Sequence, residues 1–150
     1  AVKDYRPKAV FSVSPSPAGF AYERYLQDWP AWERNGYVEE LVVQIYRRNL
    51  SSFEHELDKP EMRTARDRTP TAIGILSGLR QDFMDSALIE AQVQTTRQKG
   101  YAGAAFFFYE SIWQPGHETI ERREQMVRSL FPEPKPRPFL NGSSSTVLGR

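Results

Sequence analysis

Apolar residues in this chain form four short runs, at residues 10–17, 41–46, 69–78 and 101–111. The runs are rich in Val, Ile, Phe and Ala, and they are too apolar for strands with one face in water. Such runs are typical of strands buried in a parallel sheet. The first run ends at Pro15 and Pro17, because proline cannot donate a hydrogen bond to a neighbouring strand.

A helical stretch follows each of the four strands. The stretches are residues 25–36, 50–68, 85–100 and 117–131. Asp28 is placed to cap the first, and the spacing of Ser51 and Glu54 predicts a capping box at the start of the second. A break at Pro60 divides that second stretch into two short helices. In the last helix we expect an inward apolar face, formed by Ile120, Met126 or Val127, Leu130 and Phe131.

Strands that alternate with helices predict an α/β fold of parallel β/α units. Right-handed crossovers leave two architectures open, a doubly wound sheet or an arc of a (β/α)8 barrel. Neither GxGxxG nor GxxxxGK[ST] follows the first strand, so nothing indicates a nucleotide-binding loop. Polar residues recur along one strand face, at Ser12, Ser14 and Gln44, and this favours a barrel interior. In both architectures, ligands bind at the carboxyl ends of the strands.

Composition and charge exclude several classes of function. The 150 residues are 39% hydrophobic and 26% charged, as in one globular domain. The net charge of +1 gives no electrostatic case for nucleic acid or an anionic membrane as a partner. Cysteine is absent, and His55 and His117 are far apart, so we expect neither a metal site nor a cofactor. No stretch approaches the ~20 apolar residues of a membrane span.

The two ends of the chain differ from its middle. Residues 1–9 have no helix start but read as the last turns of a helix, so we expect the chain to begin within a larger fold. Residues 132–150 are rich in Pro, Gly and Ser and predict an extended tail or linker. We therefore place the folded domain at residues 1–131.

Four pieces of the chain together resemble a known family. They are "FSVSPSP", "YLQDWPAWERNGYVEELVVQIYR", "TAIGILSG" and "RQKGYAGAAFFFYESIW", of which Q-x-Y-R and FF-x-YES are the most specific. In this order, over about residues 1–113, they are similar to the second half of the family 10 glycosyl hydrolase-like proteins. These are bacterial envelope proteins with a (β/α)8 barrel. The resemblance implies barrel strands five to eight, a glycan substrate and a location outside the cytoplasm.

The second strand carries the most specific candidates for glycan binding. Gln44 and Tyr46 share one face of this strand, which would look into the barrel lumen. An unpaired buried amide costs ~1–3 kcal/mol, so Gln44 must be paired or must face a polar cavity. If it faces a cavity, Gln44 can bind a sugar hydroxyl, Tyr46 can stack on a sugar ring, and Arg47 can reach a sugar oxygen or a carboxylate at the rim. Alternatively, Gln44 bonds only to other lumen side chains and Tyr46 is packing.

Glu110, at the end of the fourth strand, is the candidate catalytic carboxylate. Glycoside cleavage usually needs two carboxylates, ~5–5.5 Å apart for retention of configuration or ~6.5–9.5 Å for inversion. The resemblance implies that the other comes from an aspartate motif on barrel strand four, which precedes the region matched here. Alternatively, Glu110 is an exposed acid that caps a loop or pairs with Arg47.

Four further side chains complete the predicted substrate site, namely Ser14, Ser16, Tyr109 and Trp113. Trp113 follows Glu110 by three residues, in the loop that would rim the barrel mouth. The serines are not nucleophile candidates, because no histidine lies near them in sequence and no nucleophile-elbow pattern surrounds them. Trp29 and Trp32, three residues apart on a helix, are expected in the core.

Three functional hypotheses follow from these residues. In the first, the chain is a partial catalytic domain of a glycoside hydrolase that acts on a cell-wall or other polysaccharide and is inactive alone. In the second, it is a non-catalytic carbohydrate-binding or interaction module. In the third, it is a half-barrel that assembles with an N-terminal half or with a second copy of itself. The third hypothesis rests on two unpaired strand edges that a half-barrel leaves open.

Overall fold

The computed structural model describes residues 2–79, 82–114 and 116–135. The helices are α1 (Val2–Tyr5), α2 (Ala18–Tyr25), α3 (Trp29–Arg34), α4 (Leu50–Leu57), α5 (Pro60–Arg68), α6 (Ser86–Gln98), α7 (Tyr109–Ile112) and α8 (Ile120–Leu130). The strands are β1 (Ser12–Val13), β2 (Glu40–Gln44), β3 (Thr71–Leu76), β4 (Gly78–Leu79), β5 (Asp82–Phe83) and β6 (Gly103–Phe107).

A parallel sheet of four strands, in the order β1-β2-β3-β6, organises the molecule. In its register, Gln44 of β2 is opposite Gly74 of β3, and Leu76 of β3 is opposite Phe107 of β6. The spatial order of the strands is their order in the chain, without the reversal that marks a doubly wound sheet. The predicted α/β fold of parallel β/α units is confirmed.

The two faces of this sheet differ in burial. One face packs against α4, α5 and α6, and its fully buried side chains are Leu41, Val43, Ile45, Ile73 and Ile75. On the other face Val42, Gln44 and Tyr46 are half-buried, while Ala105 and Phe107 are exposed. The alternation predicted along the second strand is therefore confirmed, and one face of the sheet remains open.

The first predicted helix is in fact two helices, α2 and α3. Asp28 caps α3 as predicted, since its carboxylate accepts a hydrogen bond from Ala31 N at 3.0 Å. Trp29, the first residue of α3, is fully buried as expected. Helix α2 has one buried residue, Ala21, so its sequence lacks the periodic apolar face that would have predicted it.

The capping box predicted from Ser51 and Glu54 is wrong. Asn49 caps α4, because its Oδ1 accepts a hydrogen bond from Ser52 N at 2.8 Å. The predicted break at Pro60 is confirmed, since α5 starts at this residue.

The carboxyl end of the sheet has two elements that the sequence did not predict. β3 is followed directly by an antiparallel hairpin, β4–β5, in which Gly78 pairs with Phe83. β6 ends at Phe107, and the next residues turn into α7. Tyr109 and Glu110 therefore lie in a short helix, and their placement at the end of the fourth strand is corrected.

The inward face predicted for the last helix is half right. Met126 and Leu130 of α8 are buried, but Ile120 and Phe131 are 38% and 40% exposed. The position nearest the core is instead taken by Arg123, whose side chain is fully buried.

Residues 132–135 form neither helix nor strand, and the rest of the predicted tail lies outside the described residues. Within the described ranges, no helix is long and apolar enough to cross a membrane.

Candidate functional site

Parallel pairing brings the carboxyl ends of β1, β2, β3 and β6 to one edge of the sheet. The segments that follow these strands are residues 14–17, residues 45–49, the β4–β5 hairpin and helix α7. All the predicted site residues lie at this edge or on the open face next to it.

The amide of Gln44 is paired with the neighbouring segment. Its Nε2 donates to Ser14 O at 2.8 Å, and Ser14 Oγ donates to Val42 O at 2.9 Å. This pairing removes the penalty of a polar group within an apolar strand. Among the described residues Gln44 Oε1 has no hydrogen-bond partner, so its acceptor remains available on the open face.

Ser16 contributes its backbone rather than its side chain to the fold. Its carbonyl accepts a hydrogen bond from Trp29 Nε1 at 3.0 Å. This bond fixes the turn between β1 and α2 against α3. Within the described part of the chain, Ser16 Oγ makes no hydrogen bond and is half-buried.

The ring of Tyr46 stacks on the ring of Phe107. Their centroids are 5.3 Å apart and the planes are inclined by 24°. Burial raises the pKa of the Tyr46 hydroxyl above its usual value, so this tyrosine is un-ionised at neutral pH. Phe107 was not among the predicted site residues, because a run of three phenylalanines does not show which ring is exposed.

Arg47 is held by helix α4. Its Nη2 donates to Glu56 Oε1 at 2.8 Å, and Lys59 Nζ lies 2.8 Å from the other oxygen of the same carboxylate. Burial alone would raise the pKa of Glu56, but hydrogen bonds from Lys59 and Arg47 outweigh it and lower that pKa. Gln92 Nε2 also donates to Arg47 O at 2.8 Å. Arg47 therefore pairs with Glu56 rather than with Glu110.

Arg48, the next residue, bridges two segments of this edge. Its guanidinium forms an ion pair with Asp82 in the β4–β5 hairpin, and the hydrogen bond from Arg48 lowers the pKa of Asp82. The pair ties the segment after β2 to the hairpin after β3. Sequence alone could not reveal it, because the two residues are 34 positions apart.

Helix α7 is fixed to the end of β3 by two buried serines. Ser111 Oγ lies 2.7 Å from Ser77 Oγ and donates to Phe108 O at 2.8 Å. Gly78, beside them, has a φ of 151° and leaves only 3.1 Å between an added Cβ and Ser111 Cβ. A side chain at position 78 would therefore displace α7.

Glu110, the second residue of this helix, is exposed. Among the described residues, its carboxylate has neither an ion-pair nor a hydrogen-bond partner. Tyr109 is 71% exposed, and its ring meets that of Trp113 edge-on at 6.1 Å. Trp113 is half-buried, and its Nε1 is buried without a hydrogen-bond partner in the described ranges. The structure thus brings Tyr109, Glu110 and Trp113 together.

An ion pair joins the segment before α8 to the start of α6. Glu118 accepts hydrogen bonds from Ser86 N at 3.0 Å and Ser86 Oγ at 2.7 Å, and its Oε2 lies 2.9 Å from Arg123 Nε. Arg123 also donates to Met84 O. This pair could not be predicted from the sequence, because arginine is normally assigned to the outer face of a helix.

Comparison with known proteins identifies one family. The model of glycosyl hydrolase-like 10 matches residues 1–96. These residues include Ser14, Ser16, Gln44, Tyr46 and Arg47, whereas β6 and helix α7 lie beyond the match. No curated protein and no solved structure matches the chain.

Proposed function

Because this chain belongs to the glycosyl hydrolase-like 10 family, we propose that it supplies strands five to eight of a (β/α)8 barrel that cleaves a polysaccharide. The observation that carries the proposal is the family match over residues 1–96. It is supported by the parallel sheet, whose strands follow the order of the chain and whose helices cover one face. In a closed barrel, the open face is the lumen, and ligands bind at the carboxyl ends of its strands.

In this proposal Glu110 is the catalytic carboxylate that the chain contributes. Its support is that Glu110 is exposed and unpaired among the described residues, whereas three other acids near this edge are held by cations. Glu56 is paired with Arg47 and Lys59, Asp82 with Arg48, and Glu118 with Arg123. The second carboxylate that glycoside cleavage needs comes from outside this chain, so the isolated chain is inactive.

The remaining residues of the mouth bind the glycan. Gln44 accepts from a sugar hydroxyl through its free Oε1, Tyr46 presents a ring, and Tyr109 and Trp113 form a second aromatic pair beside Glu110. Ser14 and Ser16 border the same mouth. Arg47 has an indirect role, since its ion pair with Glu56 holds α4 behind the site.

The substrate class follows from family similarity. We place the reaction outside the cytoplasm, on a cell-wall or related envelope polysaccharide. Fractionation of the producing cells tests this location.

The activity test compares Glu110→Gln with the wild type, in a protein extended by the coding sequence that precedes residue 1. Release of reducing sugar from polysaccharide should fall by about 10²–10⁴, the contribution of a general acid or base. The control is Glu23→Gln, because Glu23 is also exposed but lies on α2. Unchanged turnover in Glu110→Gln rules out its catalytic role. Turnover by the isolated 150-residue chain, lost in Glu110→Gln, rules out the need for a second half.

A binding module without chemistry is the second candidate. The argument in its favour is that glycoside cleavage usually needs two carboxylates, and among the described residues no hydrogen bond or ion pair links Glu110 to a second one. Polysaccharide binding by the extended protein, with no turnover by either wild type or variant, would select this candidate.

A further inference from the structure

Three side chains form a row across the open face of the sheet. Leu76 of β3 is opposite Phe107 of β6. Gln44 of β2 is opposite Gly74 of β3, so Tyr46, two residues after Gln44, is level with Leu76, two residues after Gly74. Leu76 is 6% exposed although this face is otherwise open. The stacked rings of Tyr46 and Phe107 belong to the strands on either side of β3, so their contact crosses β3 and accounts for this burial.

Gly74 lies beside the Tyr46 ring, where β2 and β3 approach closely. A Cβ at position 74 would lie 3.3 Å from both Gln44 Cα and Val43 O, and 3.6 Å from Tyr46 Cε1. An added methyl group would therefore press on the backbone of β2, and it would meet the Tyr46 ring at ordinary van der Waals distance.

Phe107 keeps part of its ring free. It is 43% exposed despite the stack with Tyr46. The ring that stacks on it carries the Tyr46 hydroxyl, and Gln44 lies two residues before Tyr46 on the same face. Neither this hydroxyl nor Gln44 Oε1 has a hydrogen-bond partner among the described residues. An exposed ring beside unpaired hydrogen-bonding groups fits a ligand with one apolar face and a rim of hydroxyls, which is a pyranose ring.

Charge distinguishes neutral from acidic sugars. The two arginines that follow β2 are both engaged, Arg47 with Glu56 and Arg48 with Asp82. An unpaired carboxylate, that of Glu110, follows Phe107 by three residues in the chain. An anionic sugar would be repelled by Glu110 without compensation from these arginines.

We propose that Tyr46 and Phe107 form a floor for one neutral hexose ring, with Phe107 as the principal contact. This inference rests on the proposed function for the presence of a glycan. It adds the contact residue and the sugar class.

The test is calorimetric titration of the extended protein. The probes are hexaoses of β-1,4-linked glucose, β-1,4-linked N-acetylglucosamine and α-1,4-linked galacturonic acid. The neutral hexaoses are titrated into the Glu110→Gln form, so that no substrate is consumed. The acidic hexaose is titrated into both this form and the wild type, and it should bind more weakly to the wild type, which keeps the Glu110 charge. Phe107→Ala should weaken binding of the neutral hexaose about tenfold or more, from the loss of one ring contact. Phe107→Trp keeps a ring and should bind at least as tightly as Phe107. The control is Tyr37→Ala, because Tyr37 is 66% exposed but precedes β2 at the opposite edge.

Several results would overturn the floor. These are equal affinity in Phe107→Ala, weaker binding in Phe107→Trp, tightest binding of the galacturonan, or no binding of either neutral hexaose. Failure of the proposed reaction gives a different result. In that case Glu110 variants keep full turnover, or the wild type shows none, but Phe107→Ala still binds the neutral hexaose more weakly. The two proposals can therefore fail separately.

Discussion

The hydroxyl of Tyr101 is buried where helix α4 ends. It donates to Leu57 O at 2.7 Å, and the residue is 6% exposed. Burial raises the pKa of Tyr101 to about 12, above the ordinary value of about 10. The folded state therefore keeps this proton at a pH where the unfolded chain has lost it. The resulting stability is complete below pH ~10 and is lost as pH rises towards 12.

We expect Tyr101→Phe to change the alkaline limb of the stability curve. At pH 8 the variant should be about 1 kcal/mol less stable, because the bond to Leu57 O is lost. Between pH 10 and 12 the wild type should lose roughly 2–3 kcal/mol that the variant does not lose. Urea unfolding across this range measures both. Tyr37→Phe is the control, since Tyr37 is largely exposed; a parallel decline in Tyr101→Phe contradicts the assignment.

Single residues show what the sequence could and could not reveal. Alternation along the second strand correctly placed Gln44 and Tyr46 on the face opposite the core. It did not show that Arg47 pairs with Glu56, because that contact depends on where α4 packs. Phe107 was missed for a similar reason: exposure within a run of three phenylalanines depends on how β6 pairs and where it ends.

At the scale of the helices, the carboxylate of Glu118 links the start of α6 to α8. Glu118 accepts from Ser86, the first residue of α6, and pairs with Arg123 of α8. The Arg123 side chain is fully buried, and that of Glu118 is 21% exposed. Removal of Glu118 leaves a buried guanidinium without its counter-charge, which is costly. The pair therefore fixes the segment just before α8 against the start of α6.

We predict that Glu118→Ala lowers the free energy of unfolding by about 3–5 kcal/mol, the cost of breaking a buried ion pair on one side. Adding Arg123→Met should recover part of this loss, because methionine needs no partner in an apolar site. Thermal or urea unfolding of the four proteins completes a double-mutant cycle. Glu124→Ala, on the exposed side of α8, should stay within about 0.5 kcal/mol of wild type. Strictly additive losses would show that the pair is not coupled.

Element prediction succeeded where apolar periodicity was strong. The four main strands, the helix cap at Asp28 and the break at Pro60 all follow from local chemistry. Helix α2 has one buried residue, and the β4–β5 hairpin has two residues in each strand, so neither has a pattern long enough to detect. Ile120 is exposed and Arg123 is buried, the reverse of the expected pattern, because Arg123 pairs with Glu118 and donates to Met84 O.

At the scale of the molecule, the sheet has two outer strands and one uncovered face. β1 and β6 each pair with one neighbour among the described strands. Exposed apolar side chains continue beyond the sheet, notably on α2, where Phe20, Tyr22, Tyr25 and Leu26 are each at least 50% exposed. Unpaired strand edges and exposed apolar surface are typical of an interface.

We predict that the isolated chain is not a stable monomer. It should dimerise or aggregate at micromolar concentration, because two copies related by a twofold axis could pair β1 of one with β6 of the other. Co-expression with the preceding coding sequence should give a soluble protein instead. Sedimentation velocity distinguishes these states. A soluble monomer of 17.3 kDa that unfolds cooperatively would contradict both the assembly and the half-barrel.

The order β1-β2-β3-β6 also bears on how the protein is made. Each strand docks on the one synthesised before it, so a nascent chain can extend its sheet unit by unit as it leaves the ribosome. Such growth limits each new strand pairing to one β/α unit instead of the whole chain. Until the next unit emerges, the growing edge faces the cellular environment unprotected. We therefore expect ribosome-associated chaperones to be needed most at the stage when β3 is complete and β6 is still to be translated.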